Sequence, residues 1–454
     1  MANTRLQRLP GSTGNNSKNT FSVWLKRASI DTEDFIVYGF YDSNYRYKAT
    51  FLTNGKLHLN TVIGGSNNLS YTTNRVFRDT SAWYHIVIAF DSTLGTAGDR
   101  CRLYVNGVEE TSFATEEHMG SNTSNFMSDN AATVYIGSQA TANYFNGSMS
   151  HIHFCDGYQY QPSDFAETDT DTGEWRIKEN LSVSYGTNGF FILKDGNSVT
   201  DQSGNSNNFT INVGAGGGLN KTEDCPNNVF CTLNPLARYG ANLDFSYGNN
   251  SVTETNSNWA MSSSTLGAST GKFYYEYKIT TTASSGNAYQ KLGFISDEAY
   301  SNSASHFADP ALDGGYAFYV NNGNLEVRND NAVISGYDQS TLATSFTTND
   351  IMCLAVDMTN KRAYFRKNGD AWIKSANPAN GTNGLDISAD YTAGKAMIPA
   401  VAIYYGGAGS LNFGNGYFAN NPVSSAGTNA SNNGIFEYDV PANFTALSTK
   451  GLNL

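Results

Sequence analysis

Short stretches in which apolar and polar residues alternate, the period of a half-buried β-strand, recur along the whole chain. The clearest runs from Ser81 to Gly107. Ile86, Ile88 and Phe90 alternate with Val87 and Ala89, a polar loop follows, and Cys101, Leu103 and Val105 then alternate with Arg102 and Tyr104. Asn106-Gly107 ends the pair, and both residues tolerate the positive φ that a two-residue hairpin turn needs. Residues 350–369 repeat the plan: an apolar strand, a short polar turn, an aromatic strand and Asn368-Gly369. The pattern predicts two antiparallel β units, each keyed by one long hairpin.

The same alternation predicts strands around these hairpins. In Thr20–Lys26, Phe21, Val23 and Leu25 face one way and Ser22, Trp24 and Lys26 the other. Phe35–Phe40, Tyr47–Leu52, Lys56–Val62, Val134–Gly137 and Tyr144–Phe154 continue the first unit, with a turn at Asn54-Gly55, and Tyr185–Leu193 offers one more strand. In the second unit Gly271–Ile279 sets Phe273, Tyr275, Tyr277 and Ile279 against Tyr274, Glu276 and Lys278. Leu292–Ser296, Gly315–Val320, Leu325–Arg328, Met397–Tyr405 and Ser410–Gly414 follow. Strands at this spacing, separated by turn signals, indicate sandwiches or barrels. Between the units, Glu167–Gly173 reads as an acidic loop and Gly214–Gly218 as a linker too glycine-rich for regular structure. That glycine run lacks the preceding strand and the following Lys-Ser/Thr of a phosphate loop.

Composition agrees with the pattern. Of the 454 residues 15% are charged and 13% aromatic, and the abundant Gly, Asn, Ser and Thr are weak helix formers. A net charge of −12 argues against nucleic-acid binding. Arg5, Arg8, Lys18, Lys26 and Arg27 all precede the first acid, Asp31, so the start is either a charged docking segment or a solvated terminus. The opening lacks the apolar core of a signal peptide, and no later run could insert in a bilayer. The expectation is a protein made in a cytoplasm and released by lysis or assembly. Five cysteines (101, 155, 225, 231, 353) show no metal-ligand spacing. Cys225 and Cys231 are close enough to bridge, but reduced thiols are expected.

In order and spacing, TFSVWLKR, WYHIVIAFD, RLYVNG, YIGS and FNGSMSHIHFCDG resemble the laminin G-like, concanavalin A-like jelly roll, over about Thr20–Asp156. GKFYYEYKI, LGFISDEAY, GGYAFYV, NDIMCLAVDMTNKRAYFRKNGD and MIPAVAIYYGGAGSLNFG resemble a SPRY domain, over about Tyr247–Gly414. The first resemblance implies two antiparallel sheets in a family of carbohydrate binders, adhesion modules and glycoside hydrolases. The second implies a bent, non-enzymatic sandwich that meets protein partners with its loops. CPNNVFCTLNPL and GIFEYDVPANFTALST resemble joining and closing segments of structural proteins in tailed phages of marine bacteria.

The fold expected is therefore all-β, with two antiparallel β-sandwich (jelly-roll) domains joined by a Gly/Asn-rich segment. The divisions are a docking segment over 1–19, a laminin G-like domain over 20–200 and a joining segment over 201–236. A SPRY-like sandwich over 237–415 and a C-terminal segment over 416–454 complete the chain. The function the resemblances imply is a non-enzymatic virion protein of a tailed bacteriophage, in a tail fibre or a tail or capsid appendage. Its partners would be other virion proteins and host-surface polysaccharide, in a symmetric homo-oligomeric assembly. A depolymerase and a secreted adhesin are the alternatives.

Candidate chemistry is sparse. The glucanase branch of the concanavalin-like fold needs paired carboxylates on one strand face, as Glu-x-Asp-x-x-Glu, and no such motif occurs; the acids of Glu167–Asp171 lack its apolar spacers and final Glu. His151 and His153, two apart on a strand, form either a metal pair or half-buried strand histidines. His85 reads as a packing residue. No cofactor is expected, although calcium through Asp91, Asp99 or Asp129 stays open, since no spacing selects among them. What is left is loop-borne binding. Tyr300, His306, Tyr337 and Trp372 lie between strands, where they are either contact residues or core, and Arg5, Arg8 and Lys18 are the candidates for docking to the virion.

Overall fold

The turns expected at Asn-Gly end both long hairpins by one device, at the end away from the loop that joins their strands. Asn106, at φ 48°, donates its backbone N–H to the His85 carbonyl (2.9 Å), while its Oδ1 accepts from the His85 N–H (2.7 Å). Asn368, at φ 49°, does the same with Ile351, at 2.8 Å in both bonds. The side-chain amide thus supplies the acceptor for one further rung of the ladder, and the left-handed φ lets the chain turn away. Gly107 (φ 82°) completes a two-residue turn that pairs Val105 with Val108.

This computed structural model describes residues 4–194, 198–214, 219–240, 242–283, 286, 288–298, 314–330, 332–392 and 394–454. The chain forms two compact units, Met1–Lys221 with Cys225–Asn227, and Thr222–Asp224 with Asn228–Leu454. Both are antiparallel β-sandwiches, so the fold is all-β.

Among the described residues, the first unit has an eight-stranded and a six-stranded sheet. The larger runs Phe113–Glu117, Ser66–Val76, Lys56–Ile63, Tyr45–Phe51, Asp34–Asp42, Thr133–Ile136, Thr4–Arg8, Thr210–Val213. The smaller runs Phe190–Ile192, Gly147–Asp156, Lys18–Arg27, Trp83–Asp91, Cys101–Val105, Val108–Glu109. Phe21, Val23, Leu25, Ile86, Ile88 and Phe90 meet Ala49, Phe51, Leu57 and Leu59 in the core, as the alternation requires.

Residues 1–19 are not a separate segment. Thr4–Arg8 lies between Thr133–Ile136 and Thr210–Val213, with Leu6 in the core. Nor is all of 201–236 a joiner. Asp201 accepts from the backbone N–H groups of Phe191, Ser203 and Asn207, Phe209 enters the core, and Thr210–Val213 closes the sheet against the first strand. Residues 215–218 of the expected linker lie outside the described residues.

In the second unit one sheet runs Leu233–Tyr239, Trp259–Ser264, Met397–Tyr404, Gln290–Ser296, Tyr316–Asn321, Asn324–Asn329, Ala332–Val333. The other runs Leu243–Ser246, Ser251–Glu254, Ala408–Asn412, Lys272–Thr281, Ile351–Asp357, Arg362–Lys367, Leu385–Asp386, with Thr445–Ala446 parallel beside Lys272–Thr281. Phe273, Tyr275, Tyr277 and Ile279 fill the core, as expected. Tyr274 and Glu276, expected to form the polar face, are also buried. The C-terminal segment covers them, with Phe436, Val440 and Phe444 packing on Tyr274, Cys353 and Tyr364. Segments 225–236 and 434–449 meet here as well: Cys231 N–H donates to the Leu447 carbonyl (3.0 Å) and Thr449 N–H to that of Val229 (2.9 Å).

Glu276 anchors this cover. Its Oε1 accepts from the Tyr438 N–H (2.9 Å) and Tyr274 hydroxyl (3.0 Å), its Oε2 from the Glu437 N–H (2.9 Å) and Asn412 Nδ2 (3.1 Å). Burial lifts its pKa to about 7, against the pull of these four donors. Glu276→Gln places an amide N–H₂ against the backbone N–H of either Glu437 or Tyr438. We expect a loss of about 2–3 kcal/mol from one buried donor without an acceptor, read by calorimetry as a lower unfolding midpoint for the second unit alone. Deleting residues 1–19 should abolish the transition of the first unit and spare the second; survival of both transitions would mean the segment is separable.

Candidate functional site

A sandwich core uses one face of each sheet, so the outward faces decide what the unit can touch. In the first unit the outward face of the larger sheet is built by register. One row across adjacent strands reads Tyr135, Tyr38, Lys48, Asn60, Ser70. The row on one side reads Thr133, Phe40, Arg46, Val62, Asn67, and that on the other Phe35, Thr50, His58, Thr72. Aromatic rings therefore occupy two strands, cations the next, and amide, imidazole and hydroxyl groups the two beyond.

The rings form a platform. Tyr38 stacks on Phe40 at 5.4 Å and on Tyr135 at 6.3 Å, and meets Phe35 edge-on at 5.6 Å. Tyr38 and Phe35 are buried, which leaves Phe40 and Tyr135, both half-buried, as its upper surface. Lys48 Nζ lies 5.6 Å above the Phe35 ring and 3.9 Å from Glu33. Burial depresses its pKa. His58 places Nδ1 3.2 Å from the Tyr71 carbonyl and 3.0 Å from Thr72 Oγ1. Since a carbonyl can only accept, Nδ1 carries the proton and Nε2 is an acceptor. Burial, with the Lys48 charge, pushes the His58 pKa down to about 4, so the ring is neutral near pH 7. Asn60 Nδ2 donates to Asn67 Oδ1 (3.1 Å) and to the Leu69 carbonyl (3.0 Å).

The outward face of the smaller sheet is closed. Residues 158–185 supply Tyr160, Phe165 and Tyr185, which pack on Val87, Ala89, Tyr104 and Cys155. Trp175 donates Nε1–H to His85 Nδ1 (3.1 Å), which leaves His85 Nε2 to donate to Ser22 Oγ (2.8 Å) while the ring stacks on Trp24 at 4.7 Å. His85 is thus a packing residue with both nitrogens engaged. A bulge between Ser150 and His153, with His151 at φ 45°, breaks the alternation expected of SHIHF. His153 is buried against Phe191 at 3.9 Å with Nδ1 bonded to the Tyr185 hydroxyl (2.9 Å).

The other expected residues are dispersed. Tyr300 and His306 lie outside the described residues. Tyr337 is half-buried against the main core of the second unit under Lys374, and Trp372 against the core beneath the C-terminal cover, 4.6 Å from the Arg366 guanidinium; the two are not brought together. Arg8 bonds Asn188 and Asn207, Lys18 pairs with Asp91 at 2.7 Å, and Arg5 reaches the Tyr144 hydroxyl at 3.4 Å. Glu167–Gly173 is not a free loop: Ala166–Thr168 pairs with Trp175–Ile177, and Arg176 bridges Glu167 (3.1 Å) and Asp169 (2.5 Å). Among the described residues no three His, Cys, Asp or Glu come together as a metal site. Asp91 and Asp99 pair with Lys18 and Arg102, and Asp129 bonds Asn16 and the Ala131 N–H.

Residues 3–158 match the family described as the concanavalin A-like lectin/glucanases superfamily, so the first unit carries a laminin G-like, concanavalin A-like domain. Similar solved structures include the SPRY domain of human HERC1, at 17% identity, covering 39% of this chain and 96% of that one, with a TM-score of 0.30. A native heptameric SAP-like pentraxin from Limulus polyphemus shows 17% identity, 46% and 88% coverage and a TM-score of 0.30. Domain 4 of AbnA, a GH43 extracellular arabinanase from Geobacillus stearothermophilus in complex with arabinotriose, shows 19% identity, 34% and 67% coverage and a TM-score of 0.25. No curated protein matches the chain.

Burial first, and then the charge of His151, push the His85 pKa down to about 3, and burial holds His153 well below its ordinary value. A depressed histidine contributes stability above about pH 6.5 that is lost as the pH falls towards the folded value. For His85 alone the linkage amounts to roughly 3 kcal/mol by pH 4.5. Calorimetry between pH 7 and pH 4.5 should show the midpoint of the first unit falling, and His85→Phe should flatten that fall.

Proposed function

We propose that this chain is a non-enzymatic structural component of a tailed-phage virion, in a tail fibre or a tail or capsid appendage, that holds host-surface glycan on the outward face of its first unit. The observation that carries the glycan reading is the pair of half-buried rings Tyr135 and Phe40 beside the half-buried cations Lys48 and Arg46 on the next strand. A pyranose ring is apolar on its C–H face and ringed by hydroxyls at its edge. It needs an aromatic surface with hydrogen-bonding groups alongside; Tyr135 and Phe40 supply the first, and Lys48 and Arg46 supply donors beside it.

Hydrolysis is the weaker reading. Inverting and retaining glycosidases hold two carboxylates about 5 to 9.5 Å apart across the bond they cleave. The three rows contain no acid. Glu33, immediately before the strand Asp34–Asp42, and Glu117, opposite Ser70 on the edge strand, are four strand spacings apart, roughly 19 Å. The virion reading is supported by the resemblance of the two segments that pair around Cys231 and Leu447 to segments of phage structural proteins.

A glycan array with bacterial polysaccharides tests the binding. Tyr135→Ala, at a half-buried position, should weaken binding about tenfold, or ~1.4 kcal/mol, in protein whose first unit is still folded at the assay temperature. A blank array from folded protein refutes the glycan reading. Mass spectrometry of purified particles tests the virion assignment, which fails if the chain is absent from them.

A further inference from the structure

We propose that the glycan taken by this face is acidic, built from sugars that carry a carboxylate, as uronic acids do. The inference rests on the glycan reading above and adds the ligand's charge. It follows from an imbalance: the protein as a whole is acidic, with a net charge of −12, yet the surroundings of the aromatic platform are basic. Arg46 and Lys48 stand on the strand beside Tyr38 and Phe40. On the other side Arg5, two residues from the Gln7 that pairs with Tyr135, takes the outward side because Leu6 fills the core.

The acids near this group compensate it poorly. Glu33 is 3.9 Å from Lys48, at the limit of an ion pair, and both side chains are part-exposed. Asp42 at the strand end accepts from the backbone N–H groups of Asn44 (2.7 Å) and Tyr45 (3.0 Å). Glu117 is three strands from Lys48. Arg46 bonds the Ser43 carbonyl, a neutral partner. His58 is neutral and adds no charge. An anion over Lys48 would therefore meet unspent positive charge in a partly desolvated setting, where attraction exceeds its value in water.

Spacing favours a carboxylate on the sugar itself. Adjacent strands are about 4.8 Å apart. A ring resting on Tyr135 and Phe40 puts an exocyclic carboxylate one strand further on, over Lys48 and Arg46. A neutral sugar would fill the platform and leave the cations to water.

The test compares uronate oligosaccharides with their carboxyl-reduced, neutral counterparts by calorimetry, in low and in physiological salt. The uronate forms should bind at least tenfold tighter, and the advantage should shrink as salt rises. Lys48→Gln and, as a second and more peripheral variant, Arg46→Gln should each bring the ratio of uronate to neutral affinity close to one, whatever the change in neutral affinity, with the first unit still folded. Tyr135→Ala should weaken both forms. Equal binding of the two forms, or a preference untouched in both variants, overturns the acidic assignment and leaves the glycan reading in place. Failure of the folded protein to bind either form overturns both.

Discussion

Two sheets have four faces, and a sandwich core hides two of them. Everything distinctive in these units follows from how the outward faces are treated. In each unit one outward face is covered by a segment of the same chain: residues 158–185 over the smaller sheet of the first, and residues from 423 onward over the second. Each cover is fixed to the sheet by a polar group that burial would otherwise disfavour. His85 stays neutral and shares its two nitrogens between Trp175 and Ser22, whereas Glu276 collects four donors. A hydrogen bond adds little net stability but is expensive to leave unmade, so such a group admits one docking geometry and rejects near misses.

The outward face of the larger sheet in the first unit is where the proposed site lies. Its aromatic, cationic and amide columns are set by backbone pairing, so five strands hold them in place without dedicated loops. A site on strands is rigid before a ligand arrives, and binding then costs less ordering than on mobile loops.

Much of the fold was legible because β-structure has a period of two and Asn-Gly has a conformational meaning. Asn106 and Asn368 were recognisable as turn residues, although the rung each side chain adds was not. The covers were illegible for a different reason. Tyr274, Glu276 and Lys278 alternate as a half-exposed strand does, and the segment that buries Tyr274 and Glu276 arrives some 160 residues later. The outward face of the larger sheet carries no motif, since Tyr135, Phe40, Lys48 and Arg46 are ordinary strand residues brought together only by register. Tyr337 and Trp372 lie in loops, but a large ring in a loop finds apolar cover whenever the sheet beneath offers it.

The pairing of the first and last strands of the first unit carries a mechanical consequence. Thr4 lies opposite Val213 and Gln7 opposite Thr210, so the chain enters and leaves at neighbouring points of one edge. Tension applied through those two points would act across the ladder and open its rungs singly from the Thr4–Val213 end, instead of loading them together in shear. The strand pair is then the unit's mechanical fuse, and under load it would part before the ladder between Thr4–Arg8 and the Tyr135 strand is disturbed.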